Sequence, residues 1–430
     1  MDIFQEYDIR GTYPKNLDEE KAERIGKAIA AYDSNQKVFL GHDNREGSLA
    51  INVYVKEGLV ESGKQVEDVG LVPVMIPAFA SYEEHTIGIE VTASHNPAQY
   101  TGVLIFENGV SVLPEKIRRI YEQAAFTKGV GKYEDMDYTS KYIEYIAGSM
   151  PNMKLNLGVD SMGGATTYVA KELFQRMGIS PYMLHATWDS NFFGNIPEPR
   201  KATVEELGKL VKEKGLDYGV QLDGDGDRVA FVNEKGKFVE PMTVGMIFIK
   251  YLGFKNVLAT IACSQKLEEF ANVTYSPVGR PNLESKMATR NFDFGIETSM
   301  HMYFGAYYPF SDGLLATALM GKVLMENDAK LSMLEKEFPK IYYDEVSVEF
   351  DKDEMREAAF AHIEREAQKY GELITIDGIK LVFPDGFVLF RKSKTEPKLR
   401  AYFEGSTRKA LEEMRKIAES LLQYSKGGAE

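Results

Sequence analysis

Three aspartates occupy alternate positions in the segment 222–228, which reads Leu-Asp-Gly-Asp-Gly-Asp-Arg. The carboxylates of Asp223, Asp225 and Asp227 repel one another strongly unless a cation lies among them. The intervening glycines allow the backbone to curl so that the three side chains converge. Carboxylate oxygens favour Mg²⁺ or Ca²⁺ over zinc, and three protein ligands leave positions for water or phosphate. We therefore predict a Mg²⁺ site here rather than a solvated acidic turn.

Two other interpretations of this loop begin at Asp223. An EF-hand loop would place its bidentate acid at Glu234, which fits, but its sixth position must be glycine and is Arg228. Residues 229–232 also read as a strand rather than an exiting helix, so we exclude the EF-hand. A strand followed by Asp-x-Asp-Gly resembles the haloacid-dehalogenase phosphatases, whose first aspartate is the nucleophile. Because Asp227 replaces their threonine or valine, a phosphatase remains only an alternative.

A candidate nucleophile lies in residues 91–97, Val-Thr-Ala-Ser-His-Asn-Pro. Ser94 follows a short apolar run and precedes an Asn-Pro turn, so we expect its hydroxyl on a loop. The segment lacks the Gly-x-Ser-x-Gly pattern of acyl-transfer enzymes. A serine beside a histidine, here His95, is also compatible with an ordinary turn.

The segment 391–400 is strongly basic, with five cations and one acid. Cations interleaved with hydroxyls suit charge-assisted hydrogen bonds to a phosphate dianion, and a solvated basic loop is the alternative. A fourth segment, 295–301, reads Gly-Ile-Glu-Thr-Ser-Met-His. Its Glu297 and Ser299 suit hydrogen bonds to sugar hydroxyls, while a buried structural pair of Glu297 with His301 is equally compatible with the sequence.

The composition places these segments in an acidic globular protein. The chain has 430 residues and a net charge of −14, which disfavours a general nucleic-acid binder because that function needs a broad basic face. Cys263 is the only cysteine, so an internal disulfide and a multi-thiolate zinc site are excluded. No basic and apolar leader opens the sequence and no run approaches 18 apolar residues, so we expect a cytoplasmic protein without membrane association.

Short apolar runs followed by helical patterns position these segments. Strands are predicted at 38–43, 155–160 and 257–261, followed by helices at 49–62, at about 166–177 and from Ser264 towards Phe270. Such alternation predicts βαβ units. Beyond residue 340 the pattern changes to strands at 342–350, 373–383, 387–391 and 399–403 with helices at 352–370 and 406–424, and an Asp-Gly turn joins the two halves of the second strand segment. This order is typical of an antiparallel α+β domain.

Taken in order, these motifs resemble the α-D-phosphohexomutase superfamily, in particular its phosphomannomutase/phosphoglucomutase-like members. The resemblance also includes residues 7–11, Tyr-Asp-Ile-Arg-Gly, and residues 391–397, Arg-Lys-Ser-Lys-Thr-Glu-Pro. It implies an α/β fold class with three related βαβ-type mixed-sheet domains and a C-terminal antiparallel α+β domain round a central cleft. The corresponding ranges are 1–148 for the phosphoserine loop, 149–250 for the metal, 251–340 for the sugar loop and 341–430 for the phosphate loop, whereas length alone predicts about three domains.

The resemblance further implies a role for each motif. The serine would carry a phosphoryl group as phosphoserine, Mg²⁺ would bind that group together with the three aspartates, and a sugar 1,6-bisphosphate would be the activator. The implied catalytic residues are Ser94, Arg10, His95, His301 and Arg228. The implied metal ligands are Ser94, Asp223, Asp225 and Asp227. The implied substrate-binding residues are Tyr7, Arg280, Glu297, Ser299, Arg391, Ser393, Lys394, Thr395 and Arg400.

Four positions depart from the family pattern. Leu104 replaces a lysine that serves as general acid/base, and leucine cannot move a proton. His301, His95 and Arg10 are the candidate replacements, and we favour His301 because imidazole ordinarily titrates near working pH. Met300 and Lys394 replace glycines in the sugar and phosphate loops, and His42 replaces an arginine, a lesser change.

The expected function is a Mg²⁺-dependent mutase that interconverts the 1-phosphates and 6-phosphates of mannose or glucose. Alternatives are a mutase for pentose or amino-sugar phosphates, a metal-dependent sugar phosphatase, and a weakly active phosphosugar-binding paralogue. The expected partner is a phosphosugar substrate, with no nucleic acid and no membrane, and the sequence leaves monomer or homo-oligomer undecided.

Overall fold

The computed structural model describes residues 2–393 and 397–427, which form four β-sheets with flanking helices. The first sheet and its helices comprise β1 (Ile9–Thr12), α1 (Glu19–Tyr32), β2 (Lys37–His42), α2 (Glu46–Glu61), β3 (Gln65–Leu71), α3 (Met75–Glu83), β4 (Ile87–Val91), β5 (Tyr100–Glu107), β6 (Val110–Ser111), α4 (Pro114–Gln123), β7 (Lys132–Asp135) and α5 (Thr139–Gly148). The strand order is β1-β5-β4-β2-β3-β7, with β6 paired to β5. β2, β3, β4 and β7 run parallel, whereas β5 pairs antiparallel with β1, β4 and β6.

The second sheet follows directly. Its elements are β8 (Leu157–Asp160), α6 (Thr166–Arg176), β9 (Tyr182–Leu184), a 3-10 helix (Phe192–Gly194), α7 (Glu205–Lys214), β10 (Tyr218–Leu222), β11 (Val229–Asn233) and β12 (Phe238–Val239). The order is β12-β11-β10-β8-β9, in which β8 runs parallel to β9 and β10, and β11 is antiparallel to β10 and β12.

The third sheet has four strands. The elements of this region are α8 (Pro241–Leu252), β13 (Asn256–Thr260), a 3-10 helix (Gln265–Glu269), β14 (Asn272–Ser276), α9 (Arg280–Met287), β15 (Phe294–Ile296), β16 (Met302–Phe304), α10 (Gly313–Glu326), α11 (Leu331–Leu334) and a 3-10 helix (Glu335–Glu337). In the order β14-β13-β15-β16, only β16 is antiparallel to its neighbour. Ser264 caps the first of these 3-10 helices by accepting from the Lys266 amide, so the helix predicted from Ser264 is short and not an α-helix.

The last sheet is antiparallel throughout. Its elements are β17 (Tyr342–Glu349), α12 (Asp353–Ala367), β18 (Leu373–Ile374), β19 (Ile379–Phe383), β20 (Gly386–Lys392), β21 (Lys398–Gly405) and α13 (Arg408–Gly427). The order is β17-β21-β20-β19-β18. Three mixed sheets followed by one antiparallel sheet confirm the predicted fold class, while the exact domain boundaries stay a prediction.

The cores divide the molecule unequally. One buried apolar cluster runs from Phe39 to Phe338 and joins the first three sheets, whereas the fourth sheet has its own core beneath α12 and α13. A small cluster of Ile261, Phe387 and Leu389 joins the third and fourth regions. The first three domains are therefore packed as one body, and the fourth is attached to it by a smaller contact. Within the described part of the chain, no helix has the length and apolar character needed to cross a membrane.

Candidate active site

The candidate residues follow the carboxyl ends of strands in three different sheets. Ser94 follows β4, Asp223 follows β10 and Glu297 follows β15, and each of these strands has a parallel neighbour. Ligands bind at such strand ends in α/β sheets. The three ends surround a cavity of about 330 Å³, which is lined by Tyr7, Asp8, Arg10, Ser94, His95, Leu104, Asp227, Arg228, Val278, Gly279, Arg280, Glu297, Ser299 and His301.

Ser94 lies in a tight turn that directs its hydroxyl towards the aspartate loop. Its φ of 47° is in the left-handed region, which is uncommon for a non-glycine residue. Its Oγ donates to Oδ2 of Asp223 at 2.9 Å and lies 3.3 Å from Nδ1 of His95. The Ser94 amide donates to Oγ1 of Thr92 at 2.9 Å, which fixes the turn.

Arg45 stabilises this turn through hydrogen bonds to its backbone. This buried side chain donates through NH2 to the carbonyls of Ser94 at 2.5 Å and Asn96 at 2.8 Å. Through NH1 it donates to the carbonyls of Pro97 and Tyr100 at 2.8 and 3.2 Å. Four carbonyls between residues 94 and 100 thus accept from a single guanidinium, which fixes the backbone of the serine turn.

The aspartate loop approaches the serine turn closely enough to require glycine. A Cβ added at Gly224 would lie 2.7 Å from the carbonyl oxygen of Ser94. Gly226 has a φ of 89°, and its amide donates to Oδ1 of Asp223 at 3.0 Å. The glycines predicted to let the loop curl therefore also let it contact the neighbouring domain.

The three aspartates form a buried cluster that fits a cation. One carboxylate oxygen from each aspartate lies within 4.8 Å of the other two. Among the described residues, Oδ1 of Asp225 and Oδ1 of Asp227 are buried without hydrogen-bond partners. Burial and then the neighbouring charges raise the pKa of Asp223 well above its ordinary value and that of Asp225 to about 7. Buried hard oxygens with mutual repulsion are the ligands that Mg²⁺ prefers, so the residues present fit that ion.

Asp227 is the aspartate that forms a direct ion pair with Arg280. Its Oδ2 accepts from Arg280 at 2.6 Å, and its Oδ1 lies 3.6 Å from Nδ1 of His301. Burial alone would raise the pKa of Asp227, but His301, Arg280 and Arg228 lower it to about 2. The Nε of Arg228 donates to Nε2 of His301 at 3.1 Å, so the imidazole lies between a carboxylate and a guanidinium.

Neither histidine of the cavity keeps an ordinary pKa. Burial and then the nearby Arg228 lower the pKa of His95 to about 2, and burial is also the main cause that lowers the pKa of His301 to about 3. Both imidazoles are therefore neutral at pH 7. The ordinary titration that favoured His301 as proton carrier is not retained, and its role stays a prediction.

Leu104 lies in the cavity wall where the family pattern has lysine, and only 5% of it is exposed. It is paired across the sheet with Glu90, so the two side chains share one face. Glu90 is fully buried, and among the described residues neither of its carboxyl oxygens has a hydrogen-bond partner. Burial, and then the neighbouring acidic groups, raise the pKa of Glu90 well above its ordinary value.

Besides His301, the sugar loop (residues 295–301) supplies two further cavity residues, and its Met300 has a strained backbone. Oε1 of Glu297 accepts from the hydroxyl of Tyr303 at 2.8 Å, and Ser299 lies beside it in the cavity wall. Met300 replaces the family's glycine with a φ of 71°, a left-handed conformation that costs a methionine on the order of 1 kcal/mol. Glycine at this position would relieve that strain.

The structure thus brings most of the predicted residues together. Asp223 and Asp225 are buried beside Asp227 and do not line the cavity, and neither do the described phosphate-loop residues Arg391, Ser393 and Arg400. Lys394 and Thr395 lie outside the described residues. The residues of the predicted set in the cavity wall are Tyr7, Arg10, Ser94, His95, Asp227, Arg228, Arg280, Glu297, Ser299 and His301.

Sequence reasoning missed the residues that support the serine turn. Asp43 accepts from Nε of Arg45 at 2.9 Å and from Thr92 at 2.7 Å, and the same Thr92 hydroxyl lies 3.1 Å from Oδ2 of Asp225. Both Asp43 and Arg45 come directly after β2, the neighbour of β4. Polar residues at the carboxyl end of a parallel strand were the signal that could have revealed them.

Comparison with known families accounts for this arrangement along the whole chain. The sequence matches the phosphoglucomutase/phosphomannomutase α/β/α domain I at residues 1–128, domain II at 138–236, domain III at 241–342 and the C-terminal domain at 322–419. The chain belongs to the phosphoglucomutase/phosphomannomutase superfamily. The chain is therefore a phosphosugar mutase of this family, and membership in the family does not decide which sugar it acts on.

Relatives within the superfamily differ in the sugar that their names give. A phosphopentomutase of Thermococcus kodakarensis is 30% identical, covering 98% of this chain and 97% of its own length. A phosphomannomutase/phosphoglucomutase of Pseudomonas aeruginosa is 29% identical, covering 98% and 95%. The crystal structure of a superfamily protein from Burkholderia thailandensis is 26% identical, with a TM-score of 0.91 over 100% of this chain and 98% of that chain.

Proposed function

We propose that the protein interconverts hexose 1-phosphate and hexose 6-phosphate, with mannose or glucose as the sugar, by way of phosphoserine at Ser94. In the first half-reaction the sugar O6 attacks the phosphorus, the bond from phosphorus to Oγ of Ser94 breaks, and the O6 proton passes to an acceptor. The sugar 1,6-bisphosphate then turns round. In the second half-reaction Oγ of Ser94 takes the phosphoryl group from O1, and O1 receives a proton.

One observation carries this proposal: the Ser94 hydroxyl lies in the cavity wall and donates to Asp223 at 2.9 Å. A serine that exchanges a phosphoryl group with a sugar must reach both the substrate and the groups that neutralise phosphate charge. Asp223, Asp225 and Asp227 would hold Mg²⁺ together with the Ser94 phosphoryl group. When bound, that ion supplies positive charge against the negative charge of the transferring group.

Cationic side chains in the cavity would stabilise the transferring phosphoryl group. Arg10 lies there with NH1 bonded to Oδ1 of Asn96 at 2.6 Å, directly beside the serine turn. Arg228 faces the same space from the end of the aspartate loop. Charge stabilisation of this kind is the main means of catalysis in phosphoryl transfer.

The two ends of the substrate would contact different domains. Glu297 and Ser299 would bind sugar hydroxyls, with Tyr7 and Arg280 beside them. The non-reacting phosphate would bind the basic loop of the fourth domain in both orientations of the sugar. The proposed residues of that loop are Arg391, Ser393, Lys394, Thr395 and Arg400.

Proton transfer must proceed without a lysine at position 104. His301 is the proposed proton carrier, acting as a neutral imidazole in the cavity wall between Asp227 and Arg228. Replacing His301→Gln is expected to slow turnover while phosphorylation of Ser94 by a sugar 1,6-bisphosphate continues. Turnover close to that of the unmodified protein would exclude His301 from this role.

A panel of aldose phosphates tests the proposed function. With Mg²⁺ and a trace of the matching bisphosphate, mannose 1-phosphate and glucose 1-phosphate should yield their 6-phosphates faster than ribose 1-phosphate or glucosamine 1-phosphate yields an isomer. A faster pentose or amino sugar would change the substrate and leave the mutase in place. Binding without isomerisation of any member would indicate a phosphosugar-binding paralogue.

A metal-dependent sugar phosphatase is the second candidate, because Asp223 directly follows a strand and position 104 lacks the lysine. It predicts release of inorganic phosphate that is lost in Asp223→Asn but kept in Ser94→Ala. The mutase predicts that both substitutions abolish isomerisation, so the pair of variants separates the two functions.

A further inference from the structure

Hydrogen bonds between described residues join the fourth domain to the third. Nζ of the buried Lys380 donates to the carbonyls of Ile261 and Cys263 at 2.9 and 3.1 Å. Oγ of Ser264 donates to Oε1 of Glu404 at 2.6 Å. These contacts lie beside the small apolar cluster between the third and fourth domains, and their residues do not line the cavity.

A further contact reaches the cavity wall itself, and it passes through Asp377. Oδ2 of Asp377 accepts from the backbone amide of Val278 at 2.9 Å. The carbonyl of Val278 accepts from the hydroxyl of Tyr7 at 3.0 Å. Because Tyr7, Val278 and Asp377 belong to the first, third and fourth domains, the backbone amide and carbonyl of the single residue Val278 join three domains, and both Tyr7 and Val278 line the cavity.

The same carboxylate oxygen also binds the first residue of the phosphate loop. NH2 of Arg391 donates to Oδ2 of Asp377 at 2.8 Å, and about a fifth of each side chain is exposed. Among the described residues, Nε of Arg391 is buried without a hydrogen-bond partner. The guanidinium is therefore oriented by the bond from NH2 to Asp377, and its other N–H groups are left for an anion.

Two glycines permit this arrangement. Gly378 follows Asp377 with a φ of 100°, and a Cβ there would lie 2.3 Å from the carbonyl oxygen of Phe390 and 2.9 Å from Cγ of Arg391. Gly279 follows Val278 with a φ of 120°, and a Cβ there would lie 2.6 Å from Cζ of Tyr7. Both turns approach their partners more closely than any other residue would allow.

We propose that Asp377 is a positioning residue that aligns the phosphate-binding arginine Arg391 with the catalytic cavity. Its carboxylate accepts hydrogen bonds both from Arg391 and from the backbone amide of Val278 in the cavity wall. The carboxylate orients the guanidinium and fixes the fourth domain against the cavity wall at the same time. This inference rests on the proposed phosphate-binding role of Arg391. Loss of Asp377 should weaken substrate binding while the chemical groups around Ser94 stay in place.

Three variants of the full-length chain test the inference. Asp377→Ala removes both bonds, whereas Asp377→Asn keeps an acceptor for Val278 but loses the charge that binds Arg391. Asp385→Ala removes an acid from the other turn of the same domain, where it accepts from Ser406, and serves as the matched control. The measurements are KM and kcat for the preferred hexose phosphate, and hydrogen exchange of the Val278 amide without substrate.

We expect Asp377→Ala to raise KM about tenfold or more with kcat within about threefold, as loss of a hydrogen bond to a charged group requires. Its Val278 amide should exchange faster. Asp377→Asn should raise KM while the Val278 amide stays protected, a split that a merely structural role would not produce. Asp385→Ala should change neither quantity.

KM within twofold of the unmodified protein in either Asp377 variant, or unchanged Val278 exchange in Asp377→Ala, would overturn the inference. Failure of the proposed function has a different signature. In that case the unmodified protein isomerises no aldose phosphate, whereas the exchange measurement still reports directly on the bond between Asp377 and Val278.

Discussion

Oγ of Ser94 donates a hydrogen bond to Oδ2 of Asp223 at 2.9 Å, although 129 positions separate the two residues. Ser94 follows a strand of the first sheet and Asp223 follows a strand of the second, so this hydrogen bond joins two domains. The contact brings the proposed phosphoryl carrier to the proposed metal ligands. Several consequences of this contact can be measured.

The close approach of the two loops makes Gly224 sensitive to a single methyl group. In Gly224→Ala the Cβ would meet the Ser94 carbonyl oxygen at 2.7 Å, so the loops must separate. We expect kcat to fall at least about tenfold, with a cost in stability of about 1–3 kcal/mol. Gly148→Ala is the control, because no atom lies within 4 Å of its added Cβ. Normal activity in Gly224→Ala would show that the contact is not needed.

Mutual repulsion of the aspartates predicts how Mg²⁺ affects stability. In Asp225→Asn one negative charge leaves the buried cluster, so without metal the variant should melt at or above the temperature of the unmodified protein. Mg²⁺ at 100 times its Kd should stabilise the unmodified protein by about 2.7 kcal/mol and the variant much less. Thermal unfolding with EDTA and with Mg²⁺ measures both effects, and Asp385→Asn controls for loss of a carboxylate elsewhere. An equal response to Mg²⁺ in both proteins would place the metal elsewhere.

Leu104 allows a gain-of-function test. Leu104→Lys would place an amine in the cavity wall, on the same face of the sheet as the carboxyl of Glu90. If proton transfer limits turnover, kcat should rise at least about tenfold, within the range of general acid–base catalysis. Leu104→Met changes the shape without adding a proton carrier and should leave kcat unchanged. A kcat that does not rise in Leu104→Lys would show that another group already transfers the proton efficiently.

Glu404 predicts a pH dependence at the contact between the third and fourth domains. Burial raises its pKa from 4.5 to about 7, against the smaller opposing effects of Ser264 and Lys380. Stability due to this group is therefore fully present below pH 4.5 and is lost as pH rises through 7, by at most about 3 kcal/mol. Glu404→Gln should remove this loss, so its melting temperature relative to the unmodified protein should rise between pH 5 and 8. The exposed Glu213→Gln is the control, and parallel pH profiles for Glu404→Gln and the unmodified protein would contradict the assignment.

Local sequence predicted the elements and the residues at their ends. Asp223, Asp225 and Asp227 could be assigned to a cation because their repulsion depends only on spacing, and Ser94 could be placed on a loop because an Asn-Pro turn follows it. Short continuous apolar runs predicted the strands beside these loops. The same patterns predicted βαβ units before residue 340 and an antiparallel domain after it, whereas the three mixed sheets were implied by the family resemblance.

Long-range contacts left no comparable pattern. Arg45 binds four carbonyls of a loop about fifty positions away, and the amide of Val278 meets Asp377 across 99 positions. The neutral state of His301 depends on burial and on the facing arginines, which only the folded chain brings together. Position in space, rather than residue type, decides each of these roles.

Phosphorylation of Ser94 can be measured from the mass of the protein after incubation with glucose 1,6-bisphosphate and Mg²⁺. We predict a gain of about 80 Da, one phosphoryl group, that peptide mapping assigns to Ser94 and that is absent in Ser94→Ala. Subsequent addition of hexose 1-phosphate should remove it. No gain in mass, or a phosphoryl group on Asp223 or another residue, would contradict the central claim that Ser94 carries the phosphoryl group.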